Sequence, residues 1–220
     1  MRSIAILIAW LAAATAPVSA LQIPDLLRRQ TTPSTPPASP QGKIVPVTVG
    51  STTRDKSLRF YPEDVRAAIG DTIQFQFWPN NHTVTQAIGP QNPCRPMEAV
   101  NGAEPPVNSG FIPGSTDGAP VGTFSMQVKS MDPKTDSPYF GSGMAYTRVE
   151  QNNTQMYLYC ARAPHCALGM VMIINPKNDS DVETYRKAAI AKNETIYGNI
   201  AVAGGQVGFI PNNQAVPPPS

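Results

Sequence analysis

From Lys43 onward the chain consists of short runs in which apolar and polar positions alternate, separated by Pro, Gly and Asn. Val45, Val47 and Val49 alternate with Pro46 and Thr48, and Ile73, Phe75 and Phe77 with Thr72, Gln74, Gln76 and Trp78. Phe124, Met126 and Val128 share one side of the run from Thr123 to Lys129. A period of two sends successive side chains to opposite faces, so each run reads as a strand with one buried face. Pro46 places the first strand at a sheet edge, because proline has no N–H to give a ladder. Phe60-Tyr61-Pro62, Asp64 to Ile69 and Thr83 to Ala87 are shorter candidates, and Pro138 to Gly141 reads as a short crossing element. Thr154 to Cys160 puts Met156, Leu158 and Cys160 on one face, and Gly169 to Asn175 is its returning strand. Short strands with turn residues between them predict an all-β sandwich, not a βαβ fold.

Two stretches depart from this rhythm. Gln91 to Val121 is rich in Pro and Gly and lacks periodicity. A loop that long in a compact domain is either tied down or functional, and Cys94 is the residue to tie it. Beyond Pro176, Asp179, Ser180 and Asp181 start a helix running through Val182 to Lys192, with an N-cap oxygen for the free backbone donors. The Gly/Asn/Pro-rich remainder to Ser220 is expected to be disordered. The β domain is therefore expected over residues 43–176, with a C-terminal extension over 177–220.

Before the β domain, Arg2, the apolar run Ile4 to Ala14 and the small residues Val18-Ser19-Ala20 make residues 1–20 a secretory signal peptide. Residues 21–42 follow as a propeptide or linker. They hold Arg28-Arg29, read equally as a processing site or as two solvated arginines, and the Pro/Ser/Thr run Thr31 to Pro40, which cannot bury a core. No later segment reaches the roughly 20 apolar residues of a membrane helix, and the polar, proline-rich C-terminus is not a lipid-anchor signal. An exported protein, extracellular or associated with a cell wall, is the expectation, with no transmembrane segment and a monomeric state.

Charge narrows the partners. The sequence has 17 basic and 15 acidic residues. Loss of the signal and of a propeptide ending at Arg29 would remove three arginines and Asp25. The near-neutral domain that remains makes no electrostatic case for binding nucleic acid.

The chemistry concentrates in Tyr157 to Ile174. It offers a thiol at Cys160, an imidazole at His165 and a thioether at Met170, and His82 is the second of only two histidines in the chain. Thiolate and thioether are soft donors that favour copper(I), whereas imidazole suits both copper oxidation states. Two His and one Cys near a plane, with a weak axial Met, form a site that neither state wholly prefers. Zinc fits less well, since a structural zinc site takes four strong ligands and no thioether. Met172, two positions along the same face, is the bland alternative to Met170. An exported chain also needs a reason for an odd cysteine, and three cysteines leave one unpaired.

The order His82…Cys160-x4-His165-x4-Met170, with Cys166 directly after the second histidine, resembles the cupredoxins, most closely the phytocyanin branch and the secreted fungal cupredoxins similar to it. The resemblance covers roughly Lys43 to Pro176. It implies a Greek-key β-sandwich and one type 1 copper ion on His82, Cys160, His165 and Met170. In phytocyanins the cysteine after the second histidine pairs with one a dozen or so residues beyond the first; Cys94 lies twelve residues after His82, so a Cys94–Cys166 disulfide is implied. In many cupredoxins an Asn near the first histidine holds the cysteine loop. Here Asn80 and Asn81 precede His82 and Thr83 follows it, leaving the thiolate's partner open.

The expected function is a secreted mononuclear copper protein with one-electron transfer to an unknown redox partner. The alternative is an extracellular or cell-wall protein of the same fold that scavenges or buffers copper or serves surface structure. No turnover is expected: two histidines cannot hold the trinuclear cluster of a multicopper oxidase, and no cleavage exposes either as an N-terminal ligand. Asn81, Asn152, Asn178 and Asn193 head glycosylation sequons, with Asn178 and Asn193 the favoured acceptors.

Overall fold

Thirteen elements of the computed structural model, which describes residues 42–99, 105–116, 118–129, 155–198 and 201–220, position the site. They are β1 (Ile44–Val49), β2 (Phe60–Tyr61), β3 (Asp64–Val65), β4 (Thr72–Phe77), β5 (Asn81–His82), β6 (Thr85–Gly89), β7 (Asn92–Pro96), β8 (Ile112–Pro113), β9 (Val121–Gln127), β10 (Met156–Tyr159), β11 (Val171–Ile174), α1 (Asp181–Lys192) and β12 (Gln206–Ile210). The segments expected to be a signal peptide and a propeptide or linker, with the dibasic pair, and likewise Pro138 to Gly141 and Asn152, lie outside the described residues. Among the described residues no helix is long and apolar enough to cross a membrane.

The strands form two five-stranded sheets, in the orders β12-β9-β4-β1-β2 and β3-β11-β10-β6-β7, with a small β5-β8 ribbon at one end. β1 with β4 and β3 with β11 run parallel; the other pairs are antiparallel. The alternation read from the sequence is what joins the sheets. Val47, Val49, Ile73, Phe75, Phe77, Phe124 and Met126 meet Val65, Leu158, Cys160, Met170, Met172 and Ile174 in one buried cluster. Phe75 lies 6.5 Å from Phe60, edge to face, and 6.3 Å from Phe124.

The second sheet is buried on both faces, which explains why Val171–Ile174 is apolar throughout. Its outer face carries Tyr159, Val171 and Ile173, packed with Tyr185 and Ala189 of α1 and with Cys94 and Cys166. The helix starts where expected, by a different device. The Ser180 side chain caps nothing, while the Asp181 carboxylate accepts N–H bonds from Lys177 and Asn178 at 3.0 Å each. The helix ends at Asn193, whose left-handed φ of 49° directs its N–H back to Ala189 and Ile190.

Three expectations are corrected. β1 is an inner strand, paired with β4 along its whole length. β2 meets it only at Thr48 and Val49, so Pro46 lacks an N–H where no strand asks for one. The stretch Gln91 to Val121 contains β7 and β8; β7 hides Pro93 and Pro96 by lying at a sheet edge. The tail expected to be disordered forms β12, pairing with β9 from Ser125 to Val121. Gly204-Gly205 and Pro211 mask that strand in the sequence, yet Gly205 enables it, because a Cβ there would sit 2.5 Å from the Phe124 ring. The last residues then cross the same sheet: Asn212 donates to Ala119 O, Val216 N to Gln76 Oε1, and Ser51 Oγ to Pro219 O.

Candidate metal centre

His82 is delivered by the turn after β4, where Asn80 adopts φ 84° and Asn81 and His82 pair with Ile112 and Pro113. The imidazole is fully buried. Its Nε2 lies 3.2 Å from the Pro79 carbonyl, so Nε2 carries the proton and the lone pair belongs to Nδ1. Gly50 makes room for this ring: at φ 84° it takes a left-handed conformation, and a Cβ would stand 2.7 Å from Nε2.

Cys160 follows β10, and its loop is tied shut by backbone bonds. Cys160 N donates to Met170 O at 3.1 Å, Met170 N to His165 O at 3.0 Å, His165 N to Arg162 O at 2.7 Å and Gly169 N to Cys166 O at 2.8 Å. The closed loop returns His165 to the thiol, with Nδ1 3.4 Å from Sγ, while His82 Nδ1 approaches from the other side at 3.8 Å. The three donor atoms lie within 4.8 Å of one another, and all three residues are buried. Met170 is also fully buried, in the inter-sheet cluster that contains Cys160, as is Met172.

Thr83 answers the question the sequence left open. Its N–H points at Cys160 Sγ at 3.4 Å, and its hydroxyl accepts the Ala161 N–H at 2.7 Å and pairs with Thr85 Oγ1 at 2.9 Å. One residue directly after the first histidine thus holds both the sulfur and the start of the loop. Its position beside His82 was the available signal; its residue type was not.

Burial sets the protonation states. Burial first, then His165 and Arg162, hold His82 at a pKa of about 4, and burial followed by Arg162 holds His165 at about 4. Burial pushes the Cys160 thiol up to about 11, against N–H bonds from Thr83 and Arg162 that favour the thiolate. At neutral pH the cluster therefore presents two neutral imidazoles and a thiol that loses its proton on meeting a metal cation.

The back of the loop is braced by residues beyond 176. Cys166 forms a disulfide with Cys94, and Cys160 stays free and buried. Thr195 Oγ1 accepts the Ala167 N–H at 3.1 Å, Ile196 N donates to Cys94 O at 3.0 Å, and the Tyr159 hydroxyl donates to Ile196 O at 2.7 Å. Arg186 of α1 is paired with Glu63, which also bonds Arg59 at 3.1 Å. Among the sequon asparagines, Asn178 and Asn193 are exposed near the two ends of α1, and Asn81 is half-buried beside His82.

The donor set fits copper. One thiol and two imidazole nitrogens converge in a buried pocket, and a thioether residue lies in the hydrophobic cluster that contains the thiol. No family model matches the sequence. The chain is 25% identical over 134 residues to a probable GPI-anchored cupredoxin of Arthroderma benhamiae, covering 60% of this chain and 53% of the relative. It is 25% identical over 124 residues to an extracellular serine-rich protein of the same fungus, covering 56% and 37%. The chain thus matches only about a third to a half of the length of these curated relatives. Pseudoazurin structures from Hyphomicrobium denitrificans and Sinorhizobium meliloti overlap it at TM-scores of 0.36 and 0.34, with 15% and 19% identity and coverage of 64% and 69% of this chain and 81% and 93% of theirs. Overlaps that loose add no weight. The sandwich, the His-Cys-His cluster at its end and the disulfide beside it, taken with the cupredoxin relative, make the chain similar to cupredoxin-family proteins in fold and donor set.

Proposed function

We propose that this protein would hold one copper ion through His82, Cys160 and His165, with the Met170 thioether as a weaker fourth donor, and carry single electrons outside the cell. The observation that carries the reading is the convergence of His82 Nδ1, Cys160 Sγ and His165 Nδ1 within 4.8 Å in a buried site. Copper bound there supplies a centre whose charge changes by one without any bond to a substrate being made. The chain's own part is rigidity. His82 is locked by Pro79 and Gly50, Cys160 by Thr83, and the His165 loop by its backbone bonds, the disulfide and α1, so the donors need to move little between oxidation states.

Electron exchange would pass at the loop surface. Ala163, Pro164 and Leu168 are exposed around His165, with Leu168 at 55%, a small apolar rim suited to brief docking. Export is supported by the names of the relatives, extracellular and GPI-anchored. With two histidines in all, the chain suits a carrier and not an oxidase. We assign glycans to Asn178 and Asn193, which are exposed.

Adding copper(II) to disulfide-intact protein is expected to produce an intense visible copper–thiolate band. Cys160→Ser should lose the band and keep the β-sheet circular dichroism. No band in the wild type, or a band surviving in the serine variant, refutes the proposal. A fast self-exchange rate would identify a carrier; slow cycling would leave copper buffering as the role.

A further inference from the structure

Beside the donor cluster lies an open groove of about 640 Å³, lined by Asn81, Phe111, Arg162, Ala163, Tyr197 and Gly198. Asn81 precedes His82, and Arg162 and Ala163 lie between Cys160 and His165, so the groove opens at the same end of the sandwich. None of its lining residues is a donor in the cluster. Its volume falls in the range of small-molecule sites.

Three features specify an occupant. Among the described residues Arg162 is the sole charged one in the lining and has no ion pair, and its side chain is exposed. An anion therefore meets a guanidinium fork suited to a carboxylate, with no opposing acidic residue in the described lining. Phe111 and Tyr197 meet edge to face at 5.8 Å, an aromatic wall that a third ring extends. Asn81 is half-buried in the lining and its buried Oδ1 has no hydrogen-bond partner among the described residues, so a turn of the side chain breaks no bond at that oxygen and would bring the amide to a ligand hydroxyl.

We propose that this groove binds a small phenolic carboxylate, a single aromatic ring bearing one carboxylate and one hydroxyl. The carboxylate pairs with Arg162, the ring lies against Phe111 and Tyr197, and the hydroxyl bonds Asn81. A sugar acid has the carboxylate and hydroxyls without the aromatic ring, and so fits only part of the lining.

The test is calorimetric titration of metal-free, full-length protein with 4-hydroxybenzoate, which keeps the result separate from the copper reading. Saturable one-to-one binding is expected, weakened about tenfold or more in Arg162→Gln and in Tyr197→Ala, each the loss of one principal contact. Both side chains are exposed, so circular dichroism should show both variants folded. 4-Hydroxybenzyl alcohol, which lacks the carboxylate, and glucuronate, which lacks the aromatic ring, should each bind about tenfold more weakly. Absence of saturable binding, an unchanged affinity in Arg162→Gln, or equal affinity for glucuronate overturns the proposal. So does a glycan found on Asn81 of the secreted protein, or a dimer in sedimentation that closes the groove.

Discussion

Replacing Thr83 by valine removes a single hydroxyl from the centre of the site while keeping the side chain's shape. In the folded protein that hydroxyl accepts the Ala161 N–H at 2.7 Å and shares a hydrogen with Thr85 Oγ1 at 2.9 Å, and Thr83, Thr85 and Ala161 are all at most 2% exposed. Valine would leave the Ala161 N–H with no acceptor in a dry environment, and a buried donor so orphaned costs about 1–3 kcal/mol. The Thr85 hydroxyl can rotate, so its loss adds less, and a total of about 2 kcal/mol follows. For a domain of this size that lowers the Tm by about 4–8 °C. Urea and thermal unfolding of the metal-free protein measure the effect, with Thr83→Ser as the control that retains the hydroxyl. The N–H bond from residue 83 to Sγ belongs to the backbone and survives in both variants, so both should keep the copper–thiolate band. A valine variant within about 0.5 kcal/mol of wild type, or a serine variant equally destabilised, would refute the argument that this hydroxyl anchors the loop.

Other perturbations read out different parts of the same end of the sandwich. Gly50→Ala should displace His82, since its Cβ would stand 2.7 Å from Nε2; the left-handed φ adds about 1 kcal/mol of strain, and weaker copper retention against a chelator is the readout. The metal-free protein should lose stability in acid. His82 has a folded pKa of about 4 against 6.5 for the free side chain, so between those values the unfolded chain binds more protons and stability falls as pH falls. His82 contributes up to about 3 kcal/mol of that loss, which levels off below its folded pKa. Urea midpoints across the window check this; His165, also held at about 4, adds its own loss over the same window, so His82→Gln should make the profile shallower and leave the His165 part. Met170→Gln should keep the band and lower the midpoint potential, because a harder axial ligand favours copper(II); an unchanged potential would remove Met170 from the ligand set.

Much of this molecule is legible in one dimension because the forces that specify it are local. Period-two alternation placed Ile73, Phe75 and Phe77, and likewise Leu158 and Cys160, on the face that became the inter-sheet core, since a pleated strand has only two faces to choose between. The ligand candidates were readable because Cys, His and Met are rare here and carry soft or nitrogen donors, and the resemblance to cupredoxins anticipated the Cys94–Cys166 bond seen in the fold.

Other features depended on contacts between residues far apart in the chain. Pro46 looked like an edge residue because the sequence does not reveal that β2 stops short of it. The strand at Gln206–Ile210 was hidden by glycines whose purpose, close approach to Phe124, exists only once β9 is beside it. Thr195 and Tyr185 lie beyond the segment that resembles the family, yet they support the ligand loop from behind. Thr83 is a common residue with no chemical signature of its own. Its hold on Cys160 arises because the fold brings a backbone N–H to a sulfur 77 positions further along the chain. Local periodicity and residue chemistry therefore determined the strands and the donor types; which donors meet, in what protonation state and held by what, was decided by tertiary packing, because distance and burial are properties of the folded chain alone.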